Sequence, residues 1–236
     1  MNPVGIFRHS ITEGPGYFAT FLERRRVPWC LVKLDEGEAV PADARAFSGL
    51  SLMGGPMSVN DSLPWIAPLL ELIREAVRAD IPVIGHCLGG QLMSKALGGV
   101  VSRNPVKEIG WGRVDVLPGG DSRLWLNDAS SFESFHWHGE TFTVPENAVR
   151  IAASAYCGNQ MFVLGKHLGM QCHVEMTPEL IAAWCADWGR ENSSLAQQTS
   201  SVQTPAEMLF DAEEKTAKLH RVADGLYTQW LKGLVL

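Results

Sequence analysis

The chain has 236 residues, 46% of them hydrophobic and 19% charged, and a net charge of −6. That is enough length for one large domain or two small ones, and enough apolar content for a real core. No apolar run approaches the roughly 20 residues of a bilayer span, the N-terminus lacks a basic stretch followed by an apolar one, and the acidic balance disfavours a nucleic-acid partner. The one dense basic run, Arg24-Arg25-Arg26, reads as the solvated end of a helix. A cytoplasmic protein with neither a membrane nor a nucleic-acid partner is therefore expected.

In chain order, residues 4–8 read as a strand and 16–25 as a helix, with Phe18, Phe21 and Leu22 at helical spacing. Strands follow at 29–34 and 50–53, the latter ending in Gly54-Gly55-Pro56. Residues 65–79 carry a helical stripe of Ile66, Leu69, Leu70, Ile73 and Val77. The run 81–84 is short and apolar enough for a buried parallel strand, and 88–97 is helical again before Gly98-Gly99. This alternation is the signature of a doubly wound α/β sheet. The second half is richer in strand-like pieces, at 112–117, 140–144, 149–153, 161–164 and 169–174. Thr177-Pro178 opens a helix to about Trp188. The polar stretch 191–204 is expected to be a linker or loop between a domain at 1–190 and a C-terminal helix at 205–236. Thr204-Pro205-Ala206-Glu207 reads as a capping box for that helix. Its stripe of Met208, Leu209, Ala212, Leu219, Val222, Leu226 and Trp230 is expected to pack on the domain.

The five cysteines are scattered, with no CxxC pair, so a zinc ribbon or disulfide framework is not expected. Cys87 stands apart. Gly85-His86-Cys87-Leu88-Gly89 is a G-x-C-x-G turn after a buried strand and before a helix, the context of a nucleophile elbow. The tight turn needs the flanking glycines, the helix N-terminus favours a thiolate, and the Leu88 amide can face a developing oxyanion. A cysteine nucleophile needs a base, and the base an orienting group. His173-Val174-Glu175 supplies both if the segment is a strand, because residues two apart then share a face. The rival His136-Trp137-His138 could hold a metal, but no third and fourth ligand stand at supporting spacing, so no metal is expected. Gly54-Gly55-Pro56 lies where open α/β sheets bind ligands and could offer a second amide.

Together, the run from Gly85 to Leu92, His173-Val174-Glu175 and Gly54-Gly55-Pro56 resemble the class I, triad-type glutamine amidotransferase family. The likeness is to stand-alone proteins related to the glutaminase domain of GMP synthase. Segments 108–111, 135–142 and 159–162 resemble that subgroup too, and the likeness spans about residues 1–190. It implies a flavodoxin-like, doubly wound and mostly parallel sheet with helices on both faces, plus the C-terminal helix. It also implies that Cys87 attacks the γ-carboxamide of glutamine, His173 moves the proton and Glu175 holds His173. Gly55 and Leu88 would form the oxyanion hole, and Gln91, Gly139 and Glu140 would bind substrate. No cofactor is implied. The length left beyond that fold is too short for a synthetase domain, so the expectation is either a glutaminase component with a separate synthetase subunit as partner or a free glutamine hydrolase. A γ-glutamyl peptidase would use the same acyl chemistry on a different leaving group, and a non-catalytic module on this fold would not need the three residues intact.

Overall fold

The computed structural model describes residues 2–234, without the side chains of residues 190 and 191. The apolar runs of the first half become β1 (Val4–Arg8), β2 (Trp29–Lys33), β3 (Gly49–Leu52) and β4 (Val83–His86). Between and after them lie α1 (Gly16–Arg24), α2 (Ile66–Arg78) and α3 (Leu88–Ala96). Every residue of β1, β3 and β4 is buried, as expected of parallel strands covered on both faces. The second half supplies β5 (Val101–Val116), α4 (Gly120–Leu126), β6 (Ser131–Phe142), β7 (Val149–Ser154), β8 (Met161–Leu164) and β9 (His167–Met170). It ends in helices α5 (Pro178–Ala186), α6 (Arg190–Ala196), α7 (Pro205–Leu209) and α8 (Ala212–Leu231). No helix among the described residues is long and apolar enough to cross a membrane.

All nine strands form one sheet in the order β2-β1-β3-β4-β9-β8-β7-β5-β6. The pairings from β2 to β9 are parallel and those from β9 to β6 antiparallel, so the α/β sheet is mixed. Helices cover both faces. On one, Phe18, Phe21, Ile181, Tyr227 and Trp230 of α1, α5 and α8 pack over Val4 and Ile6. On the other, Leu69, Ile73 and Leu92 of α2 and α3 pack over Phe7 and Leu50. The order reverses at β1, with β2 on one side and β3 on the other. The loops after β1 and β3 therefore flank a switch point at the carboxyl edge.

Four expectations change. The strands read at 112–117 and 140–144 are ends of two long strands: β5 has 16 residues and β6 has 12. Their pairing shifts register between Arg103 and Glu108, around Pro105. That irregularity broke the alternation by which a strand is recognised. The strand read at 169–174 stops at Met170; beyond it, His173 makes only an isolated bridge to Phe135. The expected linker at 191–204 holds most of α6, then pairs Val202 with Ile109 of β5, and Gln203 bonds the Trp111 main chain. Buried Ser201 and Val202 anchor it, so its polarity covers a strand edge. The C-terminal helix is two helices. The capping box at Thr204 and Glu207 starts α7, and the chain turns at Asp211 (φ 55°) before α8.

Candidate active site

Cys87 follows the last residue of β4 and caps α3 with φ 50° and ψ −107°. A non-glycine residue in this region is strained by about 1–3 kcal/mol, which the surrounding packing must hold. A Cβ on Gly85 would collide with the Gly89 main chain, and one on Gly89 with the Leu52 carbonyl. Glycine at both positions is what lets α3 start so close to the sheet. The sulfur is buried but borders a cavity of about 480 Å³.

His173 Nδ1 lies 2.7 Å from Glu175 Oε1, with both side chains buried. The strand rule placed these two correctly for the wrong reason. They meet because the chain, leaving β9, is pinned by the His173 N–H to the Phe135 carbonyl and by the Tyr17 N–H to the Glu175 carbonyl. Burial alone would push the His173 pKa down. The Glu175 charge and the charge and hydrogen bonding of Cys87 outweigh it and hold the ring well above the ordinary histidine value. Glu175 is also opposed by burial, but its His173 and His86 neighbours hold its carboxyl below the usual range. Nε2 of His173 is buried and makes no regular hydrogen bond, which leaves it for Cys87 or a reacting group.

The other sequence-named residues converge on the same cavity. Gly55, Gln91, Gly139 and Glu140 line it beside Cys87. Gly55 packs against the Leu88 side chain. Among the described residues, neither the Gly55 nor the Leu88 amide donates a hydrogen bond. Gln91 Nε2 donates to the Glu140 carbonyl at 3.4 Å and to Gln171 Oε1 at 3.2 Å.

Three residues at the site were given no role from sequence. Gln171 Nε2 donates to the Cys87 sulfur at 3.5 Å. Its position two residues before His173 was the available signal. Glu13, in the loop after β1, lines the cavity, and burial pushes its carboxyl up to about 7 despite the opposing His173 charge. Its place at the switch point could have marked it. Glu108 receives hydrogen bonds from His138 Nε2 (3.0 Å), Gln160 Nε2 (2.8 Å) and Ser154 Oγ (2.7 Å). His138 Nδ1 also lies 2.9 Å from the Glu140 carbonyl. A carbonyl only accepts, so Nδ1 donates to it, and the ring bridges the Glu108 carboxyl group and the Glu140 main chain. Glu108 thereby fixes the carbonyl that Gln91 reaches. Ligand atoms of Glu108, His136 and His138 lie within 4.8 Å of one another, so the fold supplies the third metal-capable residue that local spacing did not. Here, protein donors already occupy the Glu108 carboxylate. Burial pushes His136 down to about 4, in keeping with a neutral ring.

The family model of class-I glutamine amidotransferases matches residues 19–183. The glutamine amidotransferase-like protein YfeJ of Salmonella typhimurium is 31% identical over 226 residues, 92% of this chain and 94% of that protein. A glutamine-hydrolysing GMP synthase of Aliivibrio fischeri is 30% identical over 141 residues, covering 58% of this chain and only 26% of the synthase. The crystal structure of a glutamine amidotransferase from Methylobacillus flagellatus superposes with a TM-score of 0.94 at 41% identity, over 100% of this chain and 96% of that one.

Proposed function

Since the chain belongs to the class-I glutamine amidotransferase family, we propose that it hydrolyses the γ-glutamyl amide bond through Cys87, with glutamine as the simplest substrate. The observation that carries this reading is a strained Cys87 at a helix N-terminus, beside a buried His173–Glu175 pair 2.7 Å apart. The sulfur attacks the γ-carbonyl carbon as a thiolate, its proton held by His173 Nε2. Negative charge moves to the carbonyl oxygen, to which the Gly55 and Leu88 amides would donate hydrogen bonds. The C–N bond breaks as His173 returns its proton to the leaving nitrogen, releasing ammonia and leaving a γ-glutamyl thioester. Water then attacks the thioester, His173 takes its proton, and glutamate departs with the thiolate restored. Glu175 keeps the imidazole oriented and stabilises its charge throughout.

Gln91 and the main chain at Gly139 and Glu140 are assigned to the amino-acid end of the substrate. They line the cavity, where the Glu108–His138 pair holds the Glu140 carbonyl that Gln91 reaches. The ammonia would pass to a separate synthetase subunit, a reading supported by the likeness to glutamine-hydrolysing GMP synthases. The test is glutamate and ammonia release from glutamine by wild type and Cys87→Ala, with hydroxylamine added to trap the acyl group. The proposal expects γ-glutamyl hydroxamate from wild type alone. Equal rates in the two proteins would refute it.

A further inference from the structure

The cavity is chemically polarised. Lys107 lines the end formed by Gly139, where a Cβ on that glycine would sit 3.3 Å from the lysine Cγ. The wall beside His173 is acidic and aromatic. A Cβ on Gly54 would collide with Glu13 Oε2 and lie 3.2 Å from His173 Cε1, so the Glu13 carboxylate flanks the catalytic ring. Among the described residues, that carboxylate makes no hydrogen bond or ion pair; burial raises its pKa, the His173 charge opposes the rise, and the Glu175 charge adds to it. Trp184 stands edge-on to His173, with ring centres 4.9 Å apart, and edge-on to Trp137 at 5.7 Å. Its indole N–H donates to the Thr12 carbonyl at 2.8 Å, tying this wall to the Glu13 loop. Asp187 lies three residues on, where the cavity opens to solvent.

The leaving nitrogen must face His173, which protonates it, so whatever that nitrogen carries points at this wall. A half-buried carboxylate without a partner among the described residues, on the wall that carries two indoles, is a site for a cation. We propose that the wall formed by Glu13, Trp137, Trp184 and Asp187 is a leaving-group subsite, and that its preferred substrates are γ-glutamyl amides whose amine half bears a second positive charge. This rests on the hydrolase reading above and names its substrate class. A γ-glutamyl peptide would instead bring its own carboxylate against Glu13 and Glu175, which disfavours peptides. A positive group there adds a direct counter-charge for Glu13 to the more distant one of His173, and the attack on the γ-carbonyl is otherwise the same: the C–N bond breaks and His173 protonates the departing amine.

The test compares three compounds on the full chain, with glutamine as reference. They are γ-glutamyl-(4-aminobutyl)amide, γ-glutamyl-pentylamide (a terminal methyl in place of the ammonium) and γ-glutamyl-glycine. The ammonium compound is expected to exceed the pentylamide in kcat/KM by about tenfold or more, with γ-glutamyl-glycine lowest, and the ratio should fall toward one in Glu13→Gln. Butane-1,4-diamine should inhibit glutamine turnover by wild type where the uncharged pentan-1-ol at the same concentration does not, a readout that needs no variant to fold. A ratio near one in wild type, a ratio unchanged in Glu13→Gln, or equal inhibition by the diamine and the alcohol would overturn the subsite while leaving the hydrolase intact. Absence of turnover of all four compounds would overturn both.

Discussion

Cys87 differs from the other four cysteines in backbone and surroundings rather than in burial. Burial raises the thiol pKa of Cys30, Cys157 and Cys185, and pushes Cys172 up to about 12. Iodoacetamide at neutral pH should therefore modify Cys87 first, with loss of activity in proportion, as peptide mass mapping would show. Stoichiometric labelling of Cys157 or Cys185 with activity lost would remove Cys87 from its role. Cys87→Ser should lower glutamine turnover by about 10³-fold or more while leaving thermal unfolding nearly unchanged. Glu175→Gln should reduce turnover on the order of 10²-fold rather than erase it, because the group orients and does not itself react. The same variant tests the electrostatics. The Glu175 charge raises His173, so ring NMR should show wild-type His173 protonated to higher pH than an ordinary histidine, and the midpoint should drop in Glu175→Gln. Because the folded value is the raised one, the stability this ion pair adds is complete below about pH 6.5 and is lost as pH rises through the folded value. The strained cysteine at the helix N-terminus and the paired His173 and Glu175 were all legible from residue type and spacing. Glu13 and Gln171 were not assigned from the signals they carried, the switch point for one and the spacing to His173 for the other, because which neighbouring side chains reach Cys87 depends on strands distant in sequence lying side by side in the sheet.

At the scale of elements, the site is held from behind by α1 and α8. Tyr227 of α8 lies with its hydroxyl 3.1 Å from Nε2 of His86, the residue before the nucleophile. His220 Nε2 donates to the Met176 carbonyl at 2.8 Å, next to Glu175, and its ring stacks on Tyr17 of α1 at 3.7 Å. Tyr17 in turn donates to Asp224 Oδ1 at 2.7 Å. Trp230 is fully buried against Phe18. Trp230→Ala should cost about 3–5 kcal/mol in denaturant unfolding, by the cavity it opens under α1. Tyr227→Phe should cost about 1–3 kcal/mol, since it leaves a buried imidazole nitrogen unpaired. Periodicity placed most of the α8 stripe on the core: Leu219, Leu226 and Trp230 are buried. It put Leu209 there as well, yet that residue is 44% exposed. The turn at Phe210 and Asp211 resets the helical phase, and no proline or glycine at those positions announced it.

For the whole molecule, one sheet ties both halves of the chain into one site. Its parallel half delivers Cys87, Gly55 and Glu13 at its carboxyl edge, and its antiparallel half delivers Gly139, Glu140 and, just past β9, His173 and Glu175. A chain cut after residue 204 would lose α7 and α8 and expose the face of Phe18, Phe21 and Tyr17. It should unfold at much lower denaturant than the full chain or fail to stay in solution, as fluorescence-monitored unfolding would show. By itself, the sequence determined the α/β class, the elbow cysteine, its histidine and glutamate, and the capping box. Each is a local pattern, set by periodicity, by turn chemistry or by residues a few places apart. Only the tertiary structure decided the mixed sheet, the packing of residues 201–203 on β5, the Glu108–His138 support of the Glu140 carbonyl and the acidic, aromatic wall beside His173. These depend on which strands lie side by side and on a register shift at Pro105, long-range choices settled by packing the two faces of the sheet together.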